Sequence, residues 1–148
     1  MNAMGIPTRP VMGYLADNHF GPINVWMTSL AFLGIMMYFW MAVSTRTGMY
    51  VFSVFYGIAT GSTQGVFVGA LASLTKDPTK MGTRFGMVSS LCAFASLAGP
   101  PTAGAIIGRS AGDYRWAQVW GGTVAIGAAL GGLAARISLT GWKFRAKI

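Results

Sequence analysis

The side chains in this sequence that could do chemistry in an apolar setting are one guanidinium, one carboxamide and a few hydroxyls. Arg9 lies eight residues before Asp17, about 12 Å along a helix axis from the first acidic group. Inside lipid an arginine is costly unless it is paired, hydrated or snorkelling to the interface. Two readings follow. The side chain snorkels toward the nearer membrane face, or it faces a polar cavity and holds an anion. The second uses what a guanidinium offers: a charge that cannot be lost and a planar fork that matches a carboxylate. No Asp or Glu lies in the surrounding apolar sequence to neutralise it. Its partner is then a solute, water, a backbone carbonyl or a group outside this sequence.

Gln64 is the one amide side chain deep in an uninterrupted apolar segment, within the polar patch Thr60, Ser62, Thr63 and Gln64. It either faces a solute path or serves packing. Most hydroxyls, including Ser89, Ser90 and Ser96, can satisfy their own helix and read as structural. His19 reads as a loop residue beside Asp17, and Cys92 as a small apolar residue without a CxxC or His partner. There is no nucleophile–base–acid grouping, no paired carboxylates and no phosphate-cradling glycine loop. The expectation is therefore no enzyme, no metal and no cofactor.

The elements that must position these residues follow from composition. Of 148 residues, 53% are hydrophobic and 9% charged, against about 25% charged in an ordinary soluble domain. Mean hydropathy is +0.54. So few charges cannot cover a globular surface in water, and disorder would need the opposite balance. The class is an all-α, polytopic transmembrane helix bundle. Strands of a barrel would alternate over about ten residues, and none do. The net charge of +8 does not signal nucleic acid, because the cations separate apolar runs or sit in the tail.

No charged residue occurs between Asp17 and Arg46, Arg46 and Lys76, Arg84 and Arg109, or Arg115 and Arg136. These runs predict spans near 23–44, 49–74, 85–108 and 116–136, each long enough for a core of about 30 Å. Residues 1–15 predict a fifth helix with its beginning missing, which makes about four full helices plus one truncated and suggests a fragment or truncated gene. Loops are expected at 17–22 and 76–84, and a basic tail at 137–148 after a membrane portion at 1–136. Lys76, Lys80, Arg84, Arg136, Lys143, Arg145 and Lys147 fall on one side, against Arg46, Arg109 and Arg115 on the other. That asymmetry places the first side, with the C-terminus, in the cytoplasm. Tyr114, Trp116, Trp120 and Trp142 suit the interfacial belts.

Gly57, Gly61, Gly65 and Gly69 recur every four residues and line one face of the third segment. Without a hydrophobic force between helices in lipid, such a face favours close backbone approach. It reads as a packing seam, or as a surface on which helices slide. Gly104 with Gly108, and Gly127 with Gly131, repeat the spacing more weakly. Gly99-Pro100-Pro101 should kink or break the fourth segment, as a structural bend or a hinge.

Arg9-Pro10-Val11-Met12-Gly13-Tyr14-Leu15-Ala16-Asp17 with Gly21-Pro22 resembles the eighth helix and following loop of the monocarboxylate transporter family, within the major facilitator superfamily. Tyr56-Gly57 with Gly61 resembles its tenth helix, and Gly82-Thr83-Arg84-Phe85-Gly86 the start of its eleventh. Leu97 to Gly104 resembles the LxGPPxxG core of that helix, and Gly112-Asp113-Tyr114 with Gly121-Gly122 the approach to the twelfth. The fungal branch is the most similar. The resemblance covers almost the whole chain. It implies a partial C-terminal half of a twelve-helix, two-half carrier that moves small carboxylates or similar organic solutes by alternating access. It also implies Arg9 as the membrane arginine that binds the anion, and a cytoplasmic gate at Gly13 and Asp17. Some carriers have a proton-coupling aspartate one turn earlier, where this sequence has Gly5.

The expected partners are a small organic anion, the bilayer and the missing N-terminal helices, in a plasma or vacuolar membrane. A rival reading is a non-transporting small membrane subunit or assembly protein that docks through the glycine-lined face.

Overall fold

A computed structural model describes residues 2–75 and 77–140. Every element among them is helical: α1 (Asn2–Leu15), α2 (Pro22–Trp40), α3 (Arg46–Ser73), α4 (Met81–Arg109) and α5 (Arg115–Thr140). Four helices, from α2 to α5, are long and apolar enough to cross a membrane. They lie in the four expected spans with shifted ends: α2 stops at Trp40, short of the expected 44, α3 stops at Ser73, and α4 begins at Met81, inside the loop expected at 76–84. Arg46 opens α3, Arg109 closes α4 and Arg115 opens α5, because hydropathy marks the lipid-facing length and not the last hydrogen bond.

The sequence sets several of these ends. The hydroxyl of Thr45 accepts from Gly48 N at the start of α3, and Asp113 Oδ1 accepts from Arg115 N at the start of α5. Pro22 opens α2, where its missing N–H costs nothing. The expected loop at 17–22 is largely absent. Ala16–Phe20 continues α1 as a π-helical turn, and Gly21 alone breaks the path. Gly21 has φ 82°, a conformation that a side chain disfavours. The tail expected to begin at 137 is still helical to Thr140. Lys76, Trp142, Lys143, Arg145 and Lys147 lie outside the described residues.

Gly99-Pro100-Pro101 does not break the fourth segment, since α4 continues through all three residues. The two rings withhold N–H donors from the carbonyls of Ser96 and Leu97 without ending the helix. Likewise α1 runs through Pro7 and Pro10, while the Thr8 hydroxyl donates to Met4 O at 2.6 Å.

α2 packs between α3 and α5, and α1 lies on α3. Residues Ala16, Val25 and Val66 form one buried cluster, and Ile23, Met27 and Ala70 another. Glycines set the α2–α5 distance. A Cβ on Gly34 would stand 2.7 Å from Ile126 Cγ1, and one on Gly122 would stand 2.9 Å from the Tyr38 ring. Tyr38 and Thr123 share a hydroxyl–hydroxyl bond of 2.8 Å across the same seam. By contrast, Gly104, Gly108, Gly127 and Gly131 have no atom within 4 Å of a would-be Cβ. Their spacing marks a smooth face, but no described helix covers it. α4 leans mainly on α5, with Arg84 Nη1 donating to Leu74 O at 3.0 Å, and buries no residue.

Candidate functional site

The site is built on the α1–α3 crossing. Gly61 lets the two backbones meet: a Cβ there would be 2.8 Å from Gly5 Cα. One turn on, a Cβ on Gly65 would be 3.0 Å from Arg9 Cα and 3.1 Å from Arg9 Cβ. The aliphatic stem of Arg9 therefore rests on bare α3 backbone. Gly69 is in ordinary contact with Pro22, and Gly57 is buried. The pairs Gly5–Gly61 and Arg9–Gly65 fix a parallel register, because both advance by four residues.

That register delivers Arg9 to Gln64. Arg9 Nη2 donates to Gln64 Oε1 at 2.5 Å, across 55 residues of sequence. Each residue was singled out by type alone, and the structure brings them together. The guanidinium reaches sideways onto α3. Both side chains are exposed on this chain. Among the described residues, neither has another hydrogen-bond partner and no carboxylate pairs with Arg9. The three acidic residues, Asp17, Asp77 and Asp113, all stand at helix ends.

The rest of the polar patch divides. Ser62 and Thr63 donate to Ile58 O and Ala59 O of their own helix. Thr60 Oγ1 is buried without a partner. Ser62 lines a largely apolar cleft of about 400 Å³ between α1, α2 and α3, with Met12, Phe20 and Phe32. Neither Arg9 nor Gln64 lines it, so this cleft and the cationic site are separate. Asp17 is exposed on the π-helical turn, and Gly13 has open space around it. Gly99, Pro100 and Pro101 sit mid-way along α4, on the other side of the chain's neighbour order. Cys92 is exposed on α4. Among the described residues no three His, Cys, Asp or Glu side chains gather.

What the sequence did not reveal is the pairing itself. The available signal was the matched spacing of Gly5 with Arg9 and of Gly61 with Gly65, which becomes a register only once α1 is known to lie on α3.

No protein-family model and no solved structure matches the chain. Curated relatives do. An MFS-type transporter of Gibberella zeae is 36% identical over 83% of this chain and 28% of its own length. The aspyridones efflux protein of Emericella nidulans is 32% identical, over 86% of this chain and 27% of its own. The riboflavin transporter of Saccharomyces cerevisiae is 32% identical, over 97% of this chain and 28% of its own. The chain thus spans little more than a quarter of the length of these relatives. Apolar helices and relatives together make it a multi-pass integral membrane protein whose homologues are fungal transporters of the MFS, or major facilitator, type.

Proposed function

We propose that this chain is the C-terminal portion of a monocarboxylate-type secondary transporter of the major facilitator superfamily. It moves small carboxylates or similar organic solutes by alternating access, and Arg9 is the anion ligand with Gln64 beside it. One observation carries this reading. The guanidinium is turned onto a neutral amide, away from any carboxylate, so its charge is still on offer. The two relatives named for a cargo both move organic solutes.

In this reading the solute lies near the bilayer midplane, between the two halves of the carrier. The missing N-terminal helices form the opposite wall. Gly13 and Asp17 belong to a cytoplasmic gate, and the C-terminus is cytoplasmic in a plasma or vacuolar membrane. Gly99, Pro100 and Pro101 give α4 a weakened stretch that can flex as a hinge during rocking. With Gly5 in place of an acidic residue, any proton coupling uses another site.

The exposed α4 and the open glycines of α5 also suit the rival, a non-transporting subunit that docks onto another protein, although Gly61 and Gly65 of the glycine-lined face expected to do the docking already meet α1. The full transcript separates the two. An in-frame upstream extension encoding about seven more helices is expected for a carrier of two six-helix halves. A message that opens at Met1, with a 148-residue product that accumulates in the membrane and binds no solute, would favour the subunit.

A further inference from the structure

We propose that Gln64 sets the charge selectivity of the site: it holds Arg9 in place without neutralising it. The pair then forms a cradle in which unmet donors outnumber the one spare lone pair of Gln64 Oε1, which takes an apolar-bodied organic acid as its ionised carboxylate in preference to the neutral form. This rests on the transporter reading above and deepens it.

The argument begins with hydrogen-bond inventory. A guanidinium has five N–H donors and no acceptor. Gln64 can therefore meet Arg9 only through Oε1, whichever way an amide might otherwise be turned. That leaves the two Nε2 protons of Gln64 and the remaining donors of Arg9 to be met. No acceptor in the described chain takes them. A ligand that fits must bring acceptors, and an ionised carboxylate brings two oxygens and no donor. A neutral carboxamide brings a single oxygen, and its NH₂ group faces mostly other donors, with only the spare lone pair of Gln64 Oε1 to accept from it. The unit positive charge adds to the preference, since no acid on α1 or α3 faces it. Among the described residues, the other charged or titratable groups on or beside these elements are Tyr14 on α1, Asp17 and His19 on the turn after it, and Arg46, Tyr50 and Tyr56 on α3.

The neighbours give the ligand an apolar body. Ile6 lies three residues before Arg9 and Val68 four residues after Gln64, on the same helical faces. They are 74% and 47% exposed.

The test is binding of benzoate and its neutral isostere benzamide to the full-length protein in nanodiscs, with two substitutions at Gln64. The unmodified protein should prefer benzoate by about tenfold or more. Gln64→Glu would convert the contact into an ion pair. It should unfold no more readily than the parent, yet lose about tenfold or more in benzoate affinity and with it the preference. Gln64→Met keeps the charge but not the anchor, and should weaken benzoate several-fold and narrow its advantage over benzamide without abolishing it. Equal or absent binding of the two probes overturns the proposal, as does unchanged benzoate affinity in both variants. If Arg9→Ala abolishes benzoate binding while Gln64→Glu leaves it intact, the selectivity claim fails and the anion-ligand reading stands. If Arg9→Ala changes nothing, that reading fails.

Discussion

On the proposed function, replacing Arg9 by alanine in the full-length protein should lower carboxylate transport about a hundredfold while leaving membrane insertion intact. The size follows from what is removed. Hydrogen bonds to a charged group contribute about 1.5–3 kcal/mol each, and about 1.4 kcal/mol is a factor of ten in rate. Two such bonds to a carboxylate thus give about 3 kcal/mol or more. Insertion should not suffer, because removing a charge from an apolar helix favours the bilayer. The Arg9 stem lies on Gly65, and alanine keeps the Cβ that makes part of that contact. Arg9→Lys should recover little of the loss, since an ammonium lacks the planar fork and reaches Gln64 with a different geometry. Initial rates in proteoliposomes, normalised to inserted protein, measure the effect. Unchanged rates would remove Arg9 from the site.

Gly61→Leu should detach α1 from α3. The Cβ alone would stand 2.8 Å from Gly5 Cα, a backbone atom that cannot rotate away, and 3.4 Å from Thr8 Cβ. The helices must separate, and overpacking of this kind costs typically about 1–3 kcal/mol and sometimes more. Separation also pulls Arg9 away from Gln64, so anion binding should fall together with stability. Gly61→Ala should show both losses in weaker form, since it adds the Cβ without the isobutyl group beyond it. Unfolding in mixed micelles reads the first effect, and benzoate affinity the second. A Gly61→Leu protein with the parent's stability and affinity would show that this crossing does not support the site.

The sequence made some of this legible and concealed the rest for identifiable reasons. Charges at Asp17, Arg46, Arg84, Arg109, Arg115 and Arg136 are costly in lipid, so they delimit the spans. They do not mark where hydrogen bonding stops, which is why α3, α4 and α5 include their own flanking arginines. The expected loop at 17–22 proved to be a π-helical turn closed by Gly21. Polar residues there suggested a loop, yet nothing about Ala16–Phe20 forbids a helix. Prolines at 100 and 101 suggested a break, but a proline withdraws one hydrogen bond without forcing the backbone out of the helix. Glycine spacing shows that a face is smooth and cannot say which helix lies against it. Gly61 and Gly65 meet α1, whereas Gly127 and Gly131 meet nothing described. Gly34 carries no repeat at all, yet α5 comes within 2.7 Å of its missing Cβ. The Arg9–Gln64 contact was hidden for the same reason, since it depends on a register between helices.

The most direct test of the account is whether the face that carries Arg9 and Gln64 is wet. In a background with Cys92, itself exposed, replaced by serine, Val68→Cys would place a single described thiol one turn beyond Gln64. The full-length protein should react there with a charged, water-soluble thiol reagent, and benzoate should slow the reaction. A thiol that yields only to a lipid-soluble reagent, with benzoate making no difference, would mean that this face looks into acyl chains and that Arg9 binds no solute.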